Sequence, residues 1–276
     1  MILLWIRRVF CVWAFLGVLS GSVASVHSAL GQSPFRPVGL QDYLWLGGGG
    51  LLFLSGYYLI PAPSGYLENE LEALSPKGLD RWEKHAIHHW SPRLNNLSEF
   101  SALMAGSAIT ALVFSPQARD DGCRLAIMTA QMLVWSTALP QIAKTVVQRN
   151  RPFIYNTHAD LNLRMQERGR ESFFSRTSTV AFASAVYASI LFDTYFPQSI
   201  FSPWVWSGSM AFASMAAGLK YFSGQHFPTD IITGAALGSF IGWYVPHVSR
   251  NRNCNSISFF MVPINQGVLV GLNRKF

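Results

Sequence analysis

The sequence predicts an all-α protein: a six-helix, membrane-type bundle, preceded by a signal-like segment and followed by a short C-terminal β-hairpin. Two observations carry that prediction. Half of the 276 residues are apolar and only 13% are charged, against about 25% in an ordinary soluble domain. Charge-poor stretches also recur at roughly 15–20 residues, near the length that crosses a bilayer. They are Leu44–Ile60, Phe100–Phe114, Leu125–Ala143, Ser178–Phe196, Pro203–Leu219 and Ile231–Val245. Prolines punctuate them, at Pro61, Pro63, Pro116, Pro152, Pro197 and Pro228.

Residues 1–29 read as a signal peptide or N-terminal anchor. Arg7 and Arg8 precede an apolar run from Val9 to Leu19, then small residues up to Ala29. Residues 40–248 form the helical domain, and 249–276 a tail. In the tail, Ile257, Phe259 and Met261 alternate, as do Val268, Val270 and Leu272, around Asn265-Gln266-Gly267. That pattern is a hairpin. Gly47 to Gly50 lack the Lys-Ser/Thr of a phosphate loop, so they indicate close helix packing or a bend.

Two loops are polar. Residues 61–98 read as an amphipathic cap carrying Asp80-Arg81-Trp82-Glu83-Lys84 and then His85, His88 and His89. Residues 149–177 hold Arg149, Arg151, Arg164, Arg168, Arg170 and Arg176. The net charge is +7, yet no basic run is interleaved with aromatics. An anionic small substrate or lipid headgroup therefore fits better than nucleic acid. Three cysteines show no metal-ligand spacing, and neither a metal nor a cofactor is expected.

The chemistry concentrates in Gln225-His226-Phe227-Pro228-Thr229-Asp230. This places an imidazole and a carboxylate four residues apart at the start of an apolar helix, where they share a face, so Asp230 is expected to accept a hydrogen bond from His226. That bond would fix the tautomer and leave the other ring nitrogen free to attack or bind. Upstream, Lys144, Arg151 and Pro152 place two cations at the end of an apolar helix. A carboxylate-held histidine facing cations suits phosphoryl transfer through phosphohistidine.

These residues resemble the type 2 phosphatidic acid phosphatase family, whose superfamily includes vanadium haloperoxidases, over roughly residues 40–247. Its motif K-x6-R-P is intact as Lys144, Arg151 and Pro152. Of S-R-x5-H-x3-D, His226 and Asp230 match, while Leu219 and Lys220 replace the serine and arginine. The motif P-S-G-H is degenerate. Ser175 matches, and Phe174, Arg176 and Thr177 stand for proline, glycine and histidine. The resemblance implies His226 as nucleophile, Asp230 as its orienting partner, and Lys144, Arg151, Lys220 and Ser175 as phosphate ligands. Arg176 either supplies the missing guanidinium or obstructs the site.

Thr177 occupies the position of the family's general acid. A threonine hydroxyl does not ionise near neutral pH and cannot serve as that acid, and general acid catalysis is worth ~10²–10⁴-fold. The loss falls hardest on alkoxide leaving groups, so the resemblance implies a lipid phosphate or diphosphate phosphatase that favours diphosphates. His158, His85, His88 and His89 are alternative acids or solvated loop histidines. The competing function is a pseudophosphatase that binds lipid phosphates or a partner. A vanadate haloperoxidase is disfavoured by chain length and by the missing histidine. Partners are then lipid phosphate or diphosphate and membrane lipids. The expected location is the cell (inner) membrane with the site facing the periplasm, or else a periplasmic or membrane-peripheral one. In the former topology Cys123 and Cys254 stay reduced.

Overall fold

A computed structural model describes residues 33–58, 64–251, 257–264 and 267–274. The signal-like segment 1–29 and Cys254 lie outside the described residues. The first helix among the described residues, α1, runs Leu40–Tyr58. It lies along the long helix α6, Gly122–Val147. The glycine run explains the fit. A Cβ on Gly49 would stand 2.7 Å from Val134 Cγ1 and one on Gly56 2.8 Å from Ile142 Cδ1, whereas Gly47 and Gly48 face open space. Asp42, near the α1 N-terminus, is buried and pairs with Arg124 at 2.7 Å and Arg36 at 3.0 Å.

Between them come α2 (Glu68–Ala73), α3 (Arg81–Lys84), α4 (Pro92–Ala105) and α5 (Ser107–Val113). This corrects two expectations. The polar cap ends at residue 91 rather than 98, because Ser91 caps α4 by accepting from the Leu94 amide and Pro92 opens its first turn. The stretch Phe100–Phe114 is also split between two helices that meet at Gly106, where a Cβ would stand 3.1 Å from Ser184 Cβ.

The remaining helices are α7 (Leu161–Arg164), α8 (Arg176–Tyr195), α9 (Ser202–Phe222) and α10 (Pro228–Ser249). Alanines 102, 105, 181, 185, 213 and 216 bring α4, α8 and α9 close together. Gly234, Gly238 and Gly242 recur every fourth residue, on one face of α10. A Cβ at those positions would lie 2.7, 2.2 and 2.3 Å from the carbonyls of Ser175, Thr179 and Ala183. Backbone contact of α10 with α8 therefore requires glycine there. The apolar centre is built from Leu125, Met128, Met132, Tyr187, Leu191, Ile241 and Val245, with Phe35 against it. After α10, strands β1 (Ile257–Ile264) and β2 (Gly267–Arg274) pair antiparallel in register Ile257↔Arg274.

The outer faces are unusually apolar. Leu40, Leu44, Leu51, Leu54 and Tyr58 on α1, Leu103 on α4 and Ile232 and Phe240 on α10 are all exposed. Among the described residues, the segment 119–155 and α10 are long and apolar enough to cross a membrane. Exposed apolar surface of this extent is what lipid contact demands.

Candidate active site

Three chain segments build the site. The first is the exit from α6. Gln148 adopts a left-handed conformation (φ 48°) and ends the helix, after which Arg149–Arg151 runs against the loop before α8. The Arg151 amide donates to Gly169 O at 2.8 Å, and the Ser172 amide to Arg149 O at 2.9 Å. Lys144, one turn before the helix end, is buried and donates from Nζ to Glu171 O at 2.9 Å.

The second segment is the start of α8. Ser175 is its N-cap, and its Oγ accepts from the Ser178 amide at 3.3 Å and from Ser178 Oγ at 2.9 Å. An α-helix N-terminus of this length presents backbone donors to an anion. Arg176, at the first helical position, is exposed, whereas Thr177 is half-buried. Arg176 thus adds charge at the rim and does not plug the interior.

The third segment is the α9–α10 turn. Gly224 has φ +70°, and a Cβ on it would meet His89 O at 2.1 Å. This turn delivers Gln225 Oε1 to Arg151 Nη1 at 2.6 Å and buries His226. The Ser175 amide donates to Asp230 O at 3.0 Å, which pins the second segment to the third.

The His226–Asp230 relationship differs from the expected one. His226 precedes α10, whereas Asp230 sits in its first turn, so the two do not share a helix face. His226 Nδ1 stands 3.8 Å from Asp230 Oδ2, beyond hydrogen-bond length. Asp230 is instead fully committed. Oδ2 accepts from Ser172 Oγ at 2.5 Å and from the Phe227 amide at 3.0 Å, and Oδ1 accepts from Arg149 Nη1 at 2.6 Å. Burial, reinforced by the Lys144 and Arg151 charges and opposed by Asp230, pushes the His226 pKa down to about 3. The imidazole is therefore neutral at physiological pH, with an available lone pair.

Lys144, Arg151, Arg176 and Lys220 are near enough for their charges to repel one another. Four like charges in one neighbourhood make it strongly anion-attracting. Lys220 is buried on α9, and its Nζ donates to Glu99 Oε1 at 2.6 Å and to Asn95 Oδ1 at 2.7 Å. Thr177 Oγ1 donates to the same Glu99 oxygen at 3.2 Å.

Sequence reasoning did not single out Glu99, Asn95, Arg149, Ser172, Thr229 or Glu83 as site residues. Glu83 is buried, accepting from Arg149 Nη2 at 2.6 Å and from Thr229 Oγ1 at 2.5 Å. The position of Arg149, two residues before Arg151, was the available clue. The loop histidines lie elsewhere in character: His85, His88 and His158 are exposed, and the His89 ring packs on Tyr221 and Phe222. Among the described residues, no cluster of ligating side chains could hold a metal ion.

Residues 124–254 match the family model described as the PAP2 superfamily. This segment contains Lys144, Arg151, Ser175, Lys220, His226 and Asp230, whereas Glu83 and Glu99 precede it. No curated protein matches the chain. Among solved structures, it is similar to the crystal structure of a transmembrane PAP2 type phosphatidylglycerolphosphate phosphatase from Bacillus subtilis. The identity is 18% and the TM-score 0.46, over 74% of this chain and 94% of that one.

Proposed function

We propose that this PAP2 protein is a lipid phosphate or diphosphate phosphatase in which His226 is the nucleophile. The observation that carries the reading is the burial of a neutral imidazole beside Lys144 and Arg151, with Asp230 3.8 Å from its Nδ1. Nε2 attacks phosphorus, the leaving oxygen departs with the P–O electron pair, and a phosphohistidine remains. Lys144, Arg151 and Lys220 neutralise the charge spread over the phosphoryl oxygens, with the α8 N-terminus at Ser175 behind them. Water then releases phosphate.

Thr177 supplies no acid, so a leaving group that is itself a phosphate is preferred over an alkoxide. The exposed apolar faces and the two candidate spans favour a lipid substrate and an inner-membrane location. A periplasmic orientation of the site is part of this proposal. The second reading is a pseudophosphatase that binds lipid phosphate without turnover. The Thr177 and Arg176 replacements favour it.

Phosphate release by the purified chain and its His226→Ala variant, from a prenyl diphosphate and a phosphatidate side by side, decides between them. Release from the diphosphate that the substitution abolishes supports the phosphatase. Absence of His226-dependent release from both substrates leaves the binding protein.

A further inference from the structure

We propose that Glu99 is the base that activates the water for hydrolysis of the phosphohistidine, a role that rests on the His226 reading above. Glu99 is on α4, a helix outside the PAP2 segment, and it projects to the position where the superfamily's acid is missing. Its Oε1 accepts from both Thr177 Oγ1 and Lys220 Nζ. The Lys220 carbonyl in turn accepts from the Gln225 amide at 3.2 Å, one residue before His226. The carboxylate is thus tied to the α8 first turn through Thr177 and, through Lys220, to the α9–α10 turn that carries His226.

Accessibility separates Glu99 from Lys220, His226 and Asp230. Its side chain is 45% exposed, against 5% for Lys220, 4% for His226 and 0% for Asp230. That exposure leaves the Glu99 carboxylate open to water. Beside a lysine ammonium Glu99 is a carboxylate, the form that accepts a proton. This divides the labour of the cycle in a way that suits Thr177. Expelling a phosphate from a diphosphate needs no acid, but hydrolysing the phosphoenzyme still needs a base. In that step the water oxygen bonds to phosphorus and its proton passes to Glu99. The P–N bond breaks, and its electron pair returns to Nε2 as neutral imidazole. Glu99 then loses the proton to solvent through its exposed edge.

The test is rapid-quench kinetics of the full chain in detergent, with a prenyl diphosphate labelled at its terminal phosphate. Phosphoenzyme and free phosphate are followed in wild type, Glu99→Gln, Glu99→Asp and His226→Ala. Glutamine keeps the shape and the acceptor for Lys220 but is no base. The expected result is near-normal phosphoenzyme formation in Glu99→Gln with breakdown slowed ~10²–10⁴-fold, so that labelled enzyme accumulates. Glu99→Asp restores part of the breakdown, and hydroxylamine, a stronger nucleophile than water, accelerates it in the glutamine variant. Unchanged breakdown, or a defect confined to phosphoenzyme formation and KM, overturns the proposal and reduces Glu99 to a partner of Lys220. Absence of phosphoenzyme in wild type with activity retained in His226→Ala overturns the phosphohistidine reading, and the base role with it.

Discussion

Arg149 and Asp230, from the exit of α6 and the first turn of α10, are joined by a 2.6 Å bond between Nη1 and Oδ1. The same guanidinium reaches Glu83 Oε2 at 2.6 Å, and its carbon lies 4.5 Å from the centre of the Phe227 ring. One arginine therefore neutralises two buried carboxylates and stacks on the residue that follows His226. Removing it leaves both carboxylates uncompensated, a loss of about 3–5 kcal/mol for a buried pair. Arg149→Ala is expected to lower the unfolding midpoint in detergent severely. Arg149→Lys keeps the charge but not the planar fork. It is expected to fold, with kcat reduced more than KM changes, because Asp230 is then held by Ser172 and the Phe227 amide alone. An Arg149→Ala protein as stable as wild type would show the bridge to be incidental.

The helices were legible because absence of charge is a local property of sequence. Leu125–Ala143 and Ser178–Phe196 lie within four residues of the ends of α6 and α8 at each boundary. The first turns of α4 were missed because Pro92-Arg93-Leu94-Asn95-Asn96 is polar, and Asn95 and Glu99 were hidden with them. Their relevance exists only in three dimensions, since Glu99 meets Lys220 across 121 residues of chain. Arg149 and Glu83, 66 residues apart, are the same case. Spacing misled at His226 and Asp230, because the helix begins between them at Pro228.

Burial of neutral His226 sets a pH dependence of stability. Its folded pKa is about 3, below the ~6.5 of an unfolded histidine. Between those values the unfolded chain binds a proton that the folded chain does not, so stability falls as pH falls through 6.5 toward 3. The expected outcome is a midpoint that drops from pH 7 to pH 5 in wild type and drops less in His226→Gln, which has nothing to protonate. Parallel midpoint curves for the two proteins would contradict the buried neutral state.

The α8–α10 contact offers a paired test of packing. A Cβ on Gly238 would sit 2.2 Å from Thr179 O, whereas one on Gly218 of α9 meets nothing within 4 Å. Gly238→Ala must push the helices apart, which costs ~1–3 kcal/mol or more. It also moves Asp230 relative to Ser175, so loss of activity is expected alongside the lowered midpoint. Gly218→Ala is expected to stabilise by ~0.5–1 kcal/mol through helix propensity alone. Equal midpoints for the two variants would refute the close approach.

Restoring the acid position tests what Thr177 has done to substrate choice. Thr177→His combined with Arg176→Gly restores the glycine and histidine of the P-S-G-H motif and leaves Phe174 in place of its proline. Thr177 is half-buried beside Glu99, so an imidazole there has a carboxylate to hold it and raise its basicity. An acid in place speeds departure of an alkoxide by ~10²–10⁴-fold but adds little for a phosphate leaving group. The double variant is expected to gain activity on a phosphatidate while its rate on a prenyl diphosphate changes by only a few fold, so the ratio of the two kcat/KM values moves toward the monoester. A gain of equal size on both substrates would mean that the replacements had restricted access or binding. No gain on either would mean that the pocket has been rebuilt around Glu99 and Lys220 and no longer accommodates the older proton donor.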